Sequence, residues 1–310
     1  PANERAEAAR TLAMLGGDDV VEALAEALHD SESYVRVNAS LSMAIAGKAK
    51  AVPHLVPLLG DDHSTVRAAA GRGLSKAGPT GIQALTDALA DASALAREAA
   101  AQALVSVGKD AAAAAGALSG LVAGDKNVTV RVAAAEALGA IGGTYPALHA
   151  AVGGDESWRV RRTAAKSLGK LKDASAQGAL VRLLGDSYKA ARDAALGALD
   201  AVGWKPDGAV AEAMVRLARE DWKGVAMVGP PAIDLLGQTV TEKGVDKLSV
   251  ERRVRAVEAL EIIGENHGPS AKLGAVLTPC LADLGGPVRA AAARACGRVE
   301  LKSAAENLLG

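Results

Sequence analysis

Val66-Arg67-Ala68-Ala69-Ala70-Gly71-Arg72-Gly73-Leu74-Ser75-Lys76-Ala77-Gly78 carries one frame. An apolar residue precedes an arginine, small residues follow three and six positions later, a large apolar residue stands at seven and glycine at eleven. The frame returns around Arg5, Arg36, Arg97, Arg131, Arg161, Arg192, Arg253 and Arg289. Copies lie 30 to 36 residues apart, with a single gap of 61 between Arg192 and Arg253. Spacings of three, four and seven place the small and large apolar side chains on one helical stripe. Glycine at the end is the expected left-handed helix stop, at Gly16, Gly47, Gly78, Gly108, Gly142, Gly203 and Gly264, with Lys172 and Glu300 in its place in two copies. A second amphipathic stretch precedes each of these helices, as in Val20–Leu28, Ala51–Leu59 and Ile82–Leu89. Each unit therefore reads as helix A, a tight turn and helix B. Such a pair cannot bury both faces alone and must stack on its neighbours.

A second column runs in phase with the first. Aspartate stands six residues before the arginine at Asp30, Asp61, Asp91, Asp125, Asp155, Asp186 and Asp283. This turn position suits a side chain that caps helix B. It also places the aspartate to pair with the arginine of its own or the adjacent repeat. Asp30/Arg36, Asp61/Arg67, Asp91/Arg97, Asp125/Arg131, Asp155/Arg161, Asp186/Arg192 and Asp283/Arg289 thus read as a structural ladder rather than as chemistry.

Composition agrees with thin layers of closely packed helices. Half of the 310 residues are apolar, 2% are aromatic and none is Phe, so Ala, Val and Leu must fill the interior. The formal net charge of −1 gives no global attraction to nucleic acid or acidic membrane. Cys280 and Cys296 are too few for a disulfide framework and lack zinc-site spacing, and they read as reduced core residues, with a single bridge between them as the alternative. No apolar run approaches the roughly 18–20 residues of a membrane span, and no signal segment opens the chain. A cytoplasmic protein is expected.

The arrangement resembles the HEAT-repeat family, in particular the short bacterial variety known as phycobilisome-lyase HEAT-like repeats. The pattern D-x-x-x-x-V-R-x-x-A-x-x-A-L-x-x-I-G stands nearly intact from Asp125 to Gly142. The resemblance covers essentially the whole chain. It implies an all-α, right-handed α-solenoid of about ten stacked helix pairs, with B helices lining the concave side. For function it is far less specific, because the repeat serves many unrelated proteins.

One array is expected across residues 1–310, with an irregular repeat at about 204–247. Helix A there reads as Asp207–Glu220. Helix B begins at Trp222 and stops at Gly229, because Pro230-Pro231 cannot continue it. Pro231 then opens the next helix A through Ile233, Leu236 and Val240. Trp204 and Trp222 are expected to plug the gap, and Thr241–Lys247 adds a polar connection. Residues 1–16 read as a B helix without its A partner, and 301–310 as the start of a further helix. An excised piece of a longer protein is the expectation.

No catalytic constellation stands out. The histidines His29, His54, His63, His149 and His267 form no HExxH motif and no His-Glu pair of the kind that binds iron in one HEAT-type enzyme class. Gly71-Arg72-Gly73 lies inside a helix and is no phosphate loop. Neither catalytic residue, metal nor cofactor is expected. Charge is distributed unevenly. Residues 1–35 hold eight acids and two bases, whereas residues 156–192 hold nine bases and three acids. With the positions one before and three, seven and ten after the arginine facing inward, the position five residues after it points outward and varies in charge and size. Arg72, Gln102, Glu136 and Lys166 in that column, with Trp158, Arg159 and Arg162, are the candidate partner-binding residues on the concave surface. A non-enzymatic scaffold binding another protein, or another domain of its own chain, is the expected function. A nucleic-acid-binding array using the basic patch 158–192, similar in outline to the HEAT-like alkylpurine glycosylases, is the alternative. A bilin-lyase-like enzyme or lyase subunit is more remote.

Overall fold

A computed structural model of the chain describes residues 1–15, 18–242 and 247–300. These residues are helices and turns, and no strand occurs among them. They fall into two compact units, Pro1–Ala176 and Gln177–Gly310. Gly16, the stretch 243–246 within the expected polar connection, and the further helix expected at 301–310 lie outside the described residues.

The first unit opens on helix α1 (Ala2–Leu15), a B helix with no A partner before it, which packs on α2 (Asp18–Ala27) and α3 (Ser33–Gly47). Further A helices are α4 (Val52–Leu55), α6 (Pro79–Ala88), α8 (Ala115–Gly124) and α10 (Pro146–Gly154). Their B partners are α5 (Ser64–Lys76), α7 (Ala94–Val107), α9 (Val128–Ile141) and α11 (Trp158–Leu171). The second unit adds α12 (Gln177–Leu183), α13 (Lys189–Ala201), α14 (Gly208–Ala218), α15 (Trp222–Val228), α16 (Ile233–Val240), α17 (Lys247–His267), α18 (Ala271–Cys280) and α19 (Gly286–Arg298). Each A helix packs on the B helix that follows it, and in the first unit each B helix also packs on the next B helix. The result is an all-α repeat fold of nine A/B pairs behind one unpaired B helix among the described residues. Within A helices the prolines leave marks. Pro53 and Pro57 break Lys48–Gly60 into a short α-helix between two 3-10 turns.

The apolar stripe is buried as its spacing requires. Ala39, Ala70, Ala100, Ala134, Ala164, Ala195, Ala256 and Ala292, three residues after the arginine, are all fully buried. Leu74, Leu104, Leu138, Leu168 and Leu260, at seven, are fully buried too. Small side chains let the B helices approach closely. A Cβ at Gly139 on α9 would lie 2.5 Å from the Ser167 hydroxyl on α11, and that hydroxyl donates to the Ala135 carbonyl at 2.8 Å.

Gly78, Gly108, Gly142 and Gly203 end their helices at positive φ, but at Gly78, Gly108 and Gly142 ψ is extended (−155°, −132° and 154°) rather than left-handed helical; Lys172, at φ 52° and ψ 40°, is the left-handed stop, and Glu300 also takes positive φ. Gly264 does not. α17 runs on to His267 and ends at Gly268 with φ 79°. A side chain at Gly264 would meet Val299 at 2.5 Å, so its glycine serves close packing of α17 and α19 rather than a stop. Gly47 is also not left-handed, and Lys48 takes that role with φ 45°.

The ladder arginines have two hands. Nη1 donates back to carbonyls of the arginine's own turn, as from Arg36 to Asp30 O at 2.8 Å and from Arg67 to Asp61 O at 2.7 Å. The Nε/Nη2 edge reaches forward to the aspartate of the next repeat. Arg36 grips Asp61 at 2.8 and 3.0 Å, Arg97 grips Asp125 at 2.7 and 3.2 Å, Arg131 grips Asp155 at 2.8 and 3.1 Å, and Arg253 grips Asp283 at 3.0 and 3.1 Å. Arg5 holds Asp30 in the same way. Arg192 reaches Glu220 instead. Arg67 makes turn contacts only among the described residues, and Asp91 receives no arginine edge. Arg161 and Arg289 each close their own turns, on Asp155 O and Asp283 O at 2.7 Å. Each aspartate also accepts from the backbone N–H two residues on, at 2.8 Å in Asp155 and in Asp186. That N–H belongs to the residue opening helix B, so the aspartate forms a turn ahead of the helix rather than capping its first-turn donors.

The irregular repeat runs as follows. Asp207 precedes α14, α15 stops after 7 residues, Gly229 takes φ 80°, and Pro230–Ala232 forms a 3-10 turn into α16. Trp222 packs on the apolar core of the second unit. Trp204 instead follows the end of α13, its N–H donating to Leu199 O at 3.0 Å.

Two outcomes follow from this packing. Leu138→Ala should cost about 2–5 kcal/mol by leaving a cavity in a fully buried layer; urea denaturation checks this, and a change within error would misplace the core face. The ladder also sets an acid response. Arg5, then the Glu32 N–H, hold the Asp30 carboxyl down at about 2 from 3.8. Burial pushes Asp61 and Asp125 up, but hydrogen bonds from Arg36 and Arg97 and from the turn N–H groups outweigh it and leave both below the ordinary range. A depressed folded-state value stabilises above the unfolded value and is lost on acidification. The thermal midpoint should therefore be level above about pH 4.5 and fall from about pH 4 toward 2, less steeply in Asp61→Asn. Equal slopes in both proteins would remove the ladder as the cause.

The exposed B-helix row as candidate interaction site

Successive B helices α3, α5, α7, α9 and α11 turn the same register outward. Five residues after the ladder arginine, Arg72, Gln102, Glu136 and Lys166 are exposed, while Leu41 is half-buried. The structure gathers two of the expected residues in one place. Arg72 and Gln102 rim a pocket of about 400 Å³ floored by Gly71 and Ala103. Gly71 is what opens it, since a Cβ there would already sit 3.0 Å from Ala103. Gln102 donates to Glu98 at 2.9 Å, which orients that side chain along α7. Glu136 stands on the next B helix.

Trp158, Arg159, Arg162 and Lys166 belong to α11, which carries five basic residues and no acid. The guanidinium of Arg159 lies 5.2 Å from the centre of the half-buried Trp158 ring, a cation–π contact that orients the charge. On a period of 100° per residue, Arg159, Arg162, Lys166 and Lys170 fall within one narrow stripe. With B helices spaced at roughly 8–10 Å, Arg72 and Lys166 are about 25–30 Å apart.

The partners of these cations set them apart from the ladder. Arg36, Arg97 and Arg131 each hold a carboxylate. Arg72, Lys76, Arg162, Lys166 and Lys170 have no acidic partner among the described residues. Apolar surface accompanies them on the same row, with Ile45 on α3 66% exposed. The exposure of Ile45 and the Gly71 pocket went unread in the sequence, although the exchange of alanine for glycine at that register was visible. Basic residues beyond α11, at Arg182 and Lys189, belong to the second unit and are exposed there.

A larger groove, about 970 Å³, lies elsewhere, between α16 and α18 in the second unit. Its charges are already joined: Arg253 with Asp283, and Asp234 with Lys272 at 2.7 Å. His149, unassigned from sequence, meets Asp173 at 2.8 Å within the first unit and tethers α10 to the turn after α11. No group of three or more metal-ligating side chains assembles among the described residues. No described helix is long and apolar enough to cross a membrane.

A family model described as HEAT repeats matches residues 1–75, 117–200 and 145–227. No curated protein matches the sequence. Among solved structures, the chain is similar to an engineered protein at 21% identity, covering 97% of this chain and 96% of that one with a TM-score of 0.41. It is similar to YibA of Escherichia coli at 18% identity, covering 97% and 96% with a TM-score of 0.46. It is also similar to the complex of CpcE and CpcF of phycocyanin lyase from Nostoc sp. PCC7120 at 23% identity, covering 79% and 96% with a TM-score of 0.37.

The nucleophiles of this chain with the greatest intrinsic reactivity are its two thiols, and both are free and buried. Burial, then Asp283, pushes the Cys280 thiol up to about 11 from 9.0, and its Sγ–H donates to Val276 O at 3.2 Å. Burial raises Cys296 as well. Only the thiolate is nucleophilic, so at pH 8 Cys280 should alkylate about a hundredfold more slowly than an unperturbed thiol, accelerating about tenfold per pH unit up to pH ~10. Iodoacetamide labelling of the native chain against the denatured chain measures this. Equal rates would show a reactive thiol.

Proposed function

The chain belongs to the HEAT-repeat family, and we propose that it is a non-catalytic scaffold whose B-helix row in Pro1–Ala176 binds an extended acidic segment of a partner protein. The observation that carries this reading is the contrast between two sets of cations. Ladder arginines are used up in holding the layers together, whereas Arg72, Lys76, Arg162, Lys166 and Lys170 are exposed or half-exposed without acidic partners. Their spacing along the row calls for a ligand of about eight or nine extended residues at ~3.3 Å each. The pocket beneath Arg72 and Gln102 takes an apolar side chain, and Trp158 with Arg159 supplies an aromatic anchor of the kind that concentrates binding energy. Glu136 interrupts the positive row between α7 and α11, which suits a peptide of mixed sequence better than a phosphate backbone of uniform charge. Nucleic acid is therefore the weaker fit to the same surface.

A fluorescent peptide alternating Glu and Leu over about nine residues probes the row, with single-stranded DNA of comparable length as its competitor. Arg72→Glu with Lys166→Glu should weaken the peptide by more than about tenfold while leaving the thermal midpoint nearly unchanged. Unchanged affinity, or loss of binding on substituting the A helices instead, would overturn the assignment. Preferential binding of DNA with a steep salt slope would transfer the surface to nucleic acid.

A further inference from the structure

The outward face of a B helix is made by the positions two before and one, five and nine after the ladder arginine, which fall within about 80° of one another at 100° per residue. On α1, α5, α7, α9 and α11 that face carries charge, as at Arg10, Arg72, Glu98, Glu136 and Arg162. On α3 it reads Tyr34, Val37, Leu41 and Ile45. The one charged residue of that helix, Arg36, is spent on Asp61 and on its own turn. Tyr34 and Ile45 are 53% and 66% exposed, and Val37 and Leu41 are half-buried. The opposite face is fully buried through Val35, Ala39 and Met43, so α3 is apolar on both sides. A surface helix ordinarily turns polar residues to water. Contiguous exposed apolar surface marks a place where something docks.

The neighbours of α3 define what fits it. Helix α5 packs on α3 and comes close at Gly73, where a Cβ would stand 3.1 Å from that of Ala44. It turns Arg72 and Lys76 outward at the registers of Leu41 and Ile45, and neither cation has an acidic partner among the described residues. Val37 also lines the pocket beneath Arg72 and Gln102, so the apolar stripe and that pocket form one continuous surface. On the other side, Met14 of α1 stands at the register of Ile45 and is 87% exposed. An occupant complementary to this end of the row is apolar where it crosses α3 and acidic one layer further on.

We infer that the acidic partner segment extends one layer beyond Arg72 and ends in a large aliphatic side chain seated on α3 against Leu41 and Ile45. This rests on the reading of the B-helix row given above and adds the specificity of its ligand. Helices spaced at roughly 8–10 Å and about 3.3 Å per extended residue put the aliphatic residue about three positions from the acid that meets Arg72. The subsite offers no charge, so its contribution is insensitive to salt, whereas the contacts at Arg72 and Lys166 are screened by it.

The alternating Glu/Leu probe, beginning and ending on Glu, is lengthened with Leu-Gly-Gly at its N-terminus or Gly-Gly-Leu at its C-terminus, with three glycines as the control at each end. Fluorescence titration of the full chain measures all four peptides at two ionic strengths. One of the two leucine peptides should bind about tenfold tighter than its glycine control, and that ratio should persist at the higher salt. Ile45→Ser, at an exposed position, should remove the gain while the unextended probe binds as before, and Ile45→Leu should keep it. Equal affinity of leucine and glycine peptides at both ends, or a gain that survives Ile45→Ser, would overturn the inference. A gain that depends on Ile45 while Arg72→Glu with Lys166→Glu leaves the unextended probe unaffected would remove the row reading and keep the subsite on α3. Binding by none of the peptides would overturn both.

Discussion

The forward grip of Arg5, Arg36, Arg97, Arg131 and Arg253 on the next repeat's aspartate is the constraint on which their layers depend. The interior is made of alanine and leucine, and apolar burial is non-directional. Stripes of such uniform composition have nothing in them to prevent one helix pair from sliding along its neighbour. A planar guanidinium meeting a carboxylate through two bonds has one good geometry. Because Nη1 is tied to the carbonyls of its own turn, the arginine is oriented before it reaches forward, and the aspartate is oriented by the N–H that opens its helix. Each rung thus couples two turns that have already been shaped locally. Its contribution is register more than raw stability, since partly exposed ion pairs are worth little energetically.

Most of this was readable because it is periodic. Alanine stands at three in all nine copies and leucine at seven in seven of them, and the truncation at Gly229-Pro230-Pro231 follows from proline's missing donor. What could not be read depended on position between helices rather than along one. Gly264 looked like a helix stop because it occupies the eleventh place. Only the approach of Val299 from α19 shows that it is there for clearance. The direction of the ladder was open in the sequence, since own and adjacent repeats place their aspartates at comparable reach. Arg252 did carry a signal: it breaks the rule that an apolar residue precedes the ladder arginine. Why it is buried there needed the shortened helix α15 beside it.

The candidate surface was legible in the same partial way. Outward register along the B helices is a matter of angle, and Arg72, Gln102, Glu136 and Lys166 all emerge exposed. Which of the chain's many basic residues are free for a partner is not a matter of angle. It depends on who already holds them, and nine arginines of one repeated motif look identical on paper to those beside them. The fold separates cations committed to structure from cations left open.

The separation in sequence between an arginine and the aspartate it grips varies: 24 residues for Arg131 and Asp155, 25 for Arg36 and Asp61, 28 for Arg97 and Asp125, 30 for Arg253 and Asp283. The rung recognises a carboxylate and is indifferent to how much chain was travelled to reach it. In the first unit that variation falls in helix A and its turns, whereas between Arg253 and Asp283 helix B itself is longer, α17 running on to His267. In the first unit the length changes and the breaks at Pro53 and Pro57 fall among the A helices, while the B helices keep to 13 to 15 residues. Such a molecule can change length and decoration by evolutionary tinkering along one flank without disturbing the ruler marked on the opposite one.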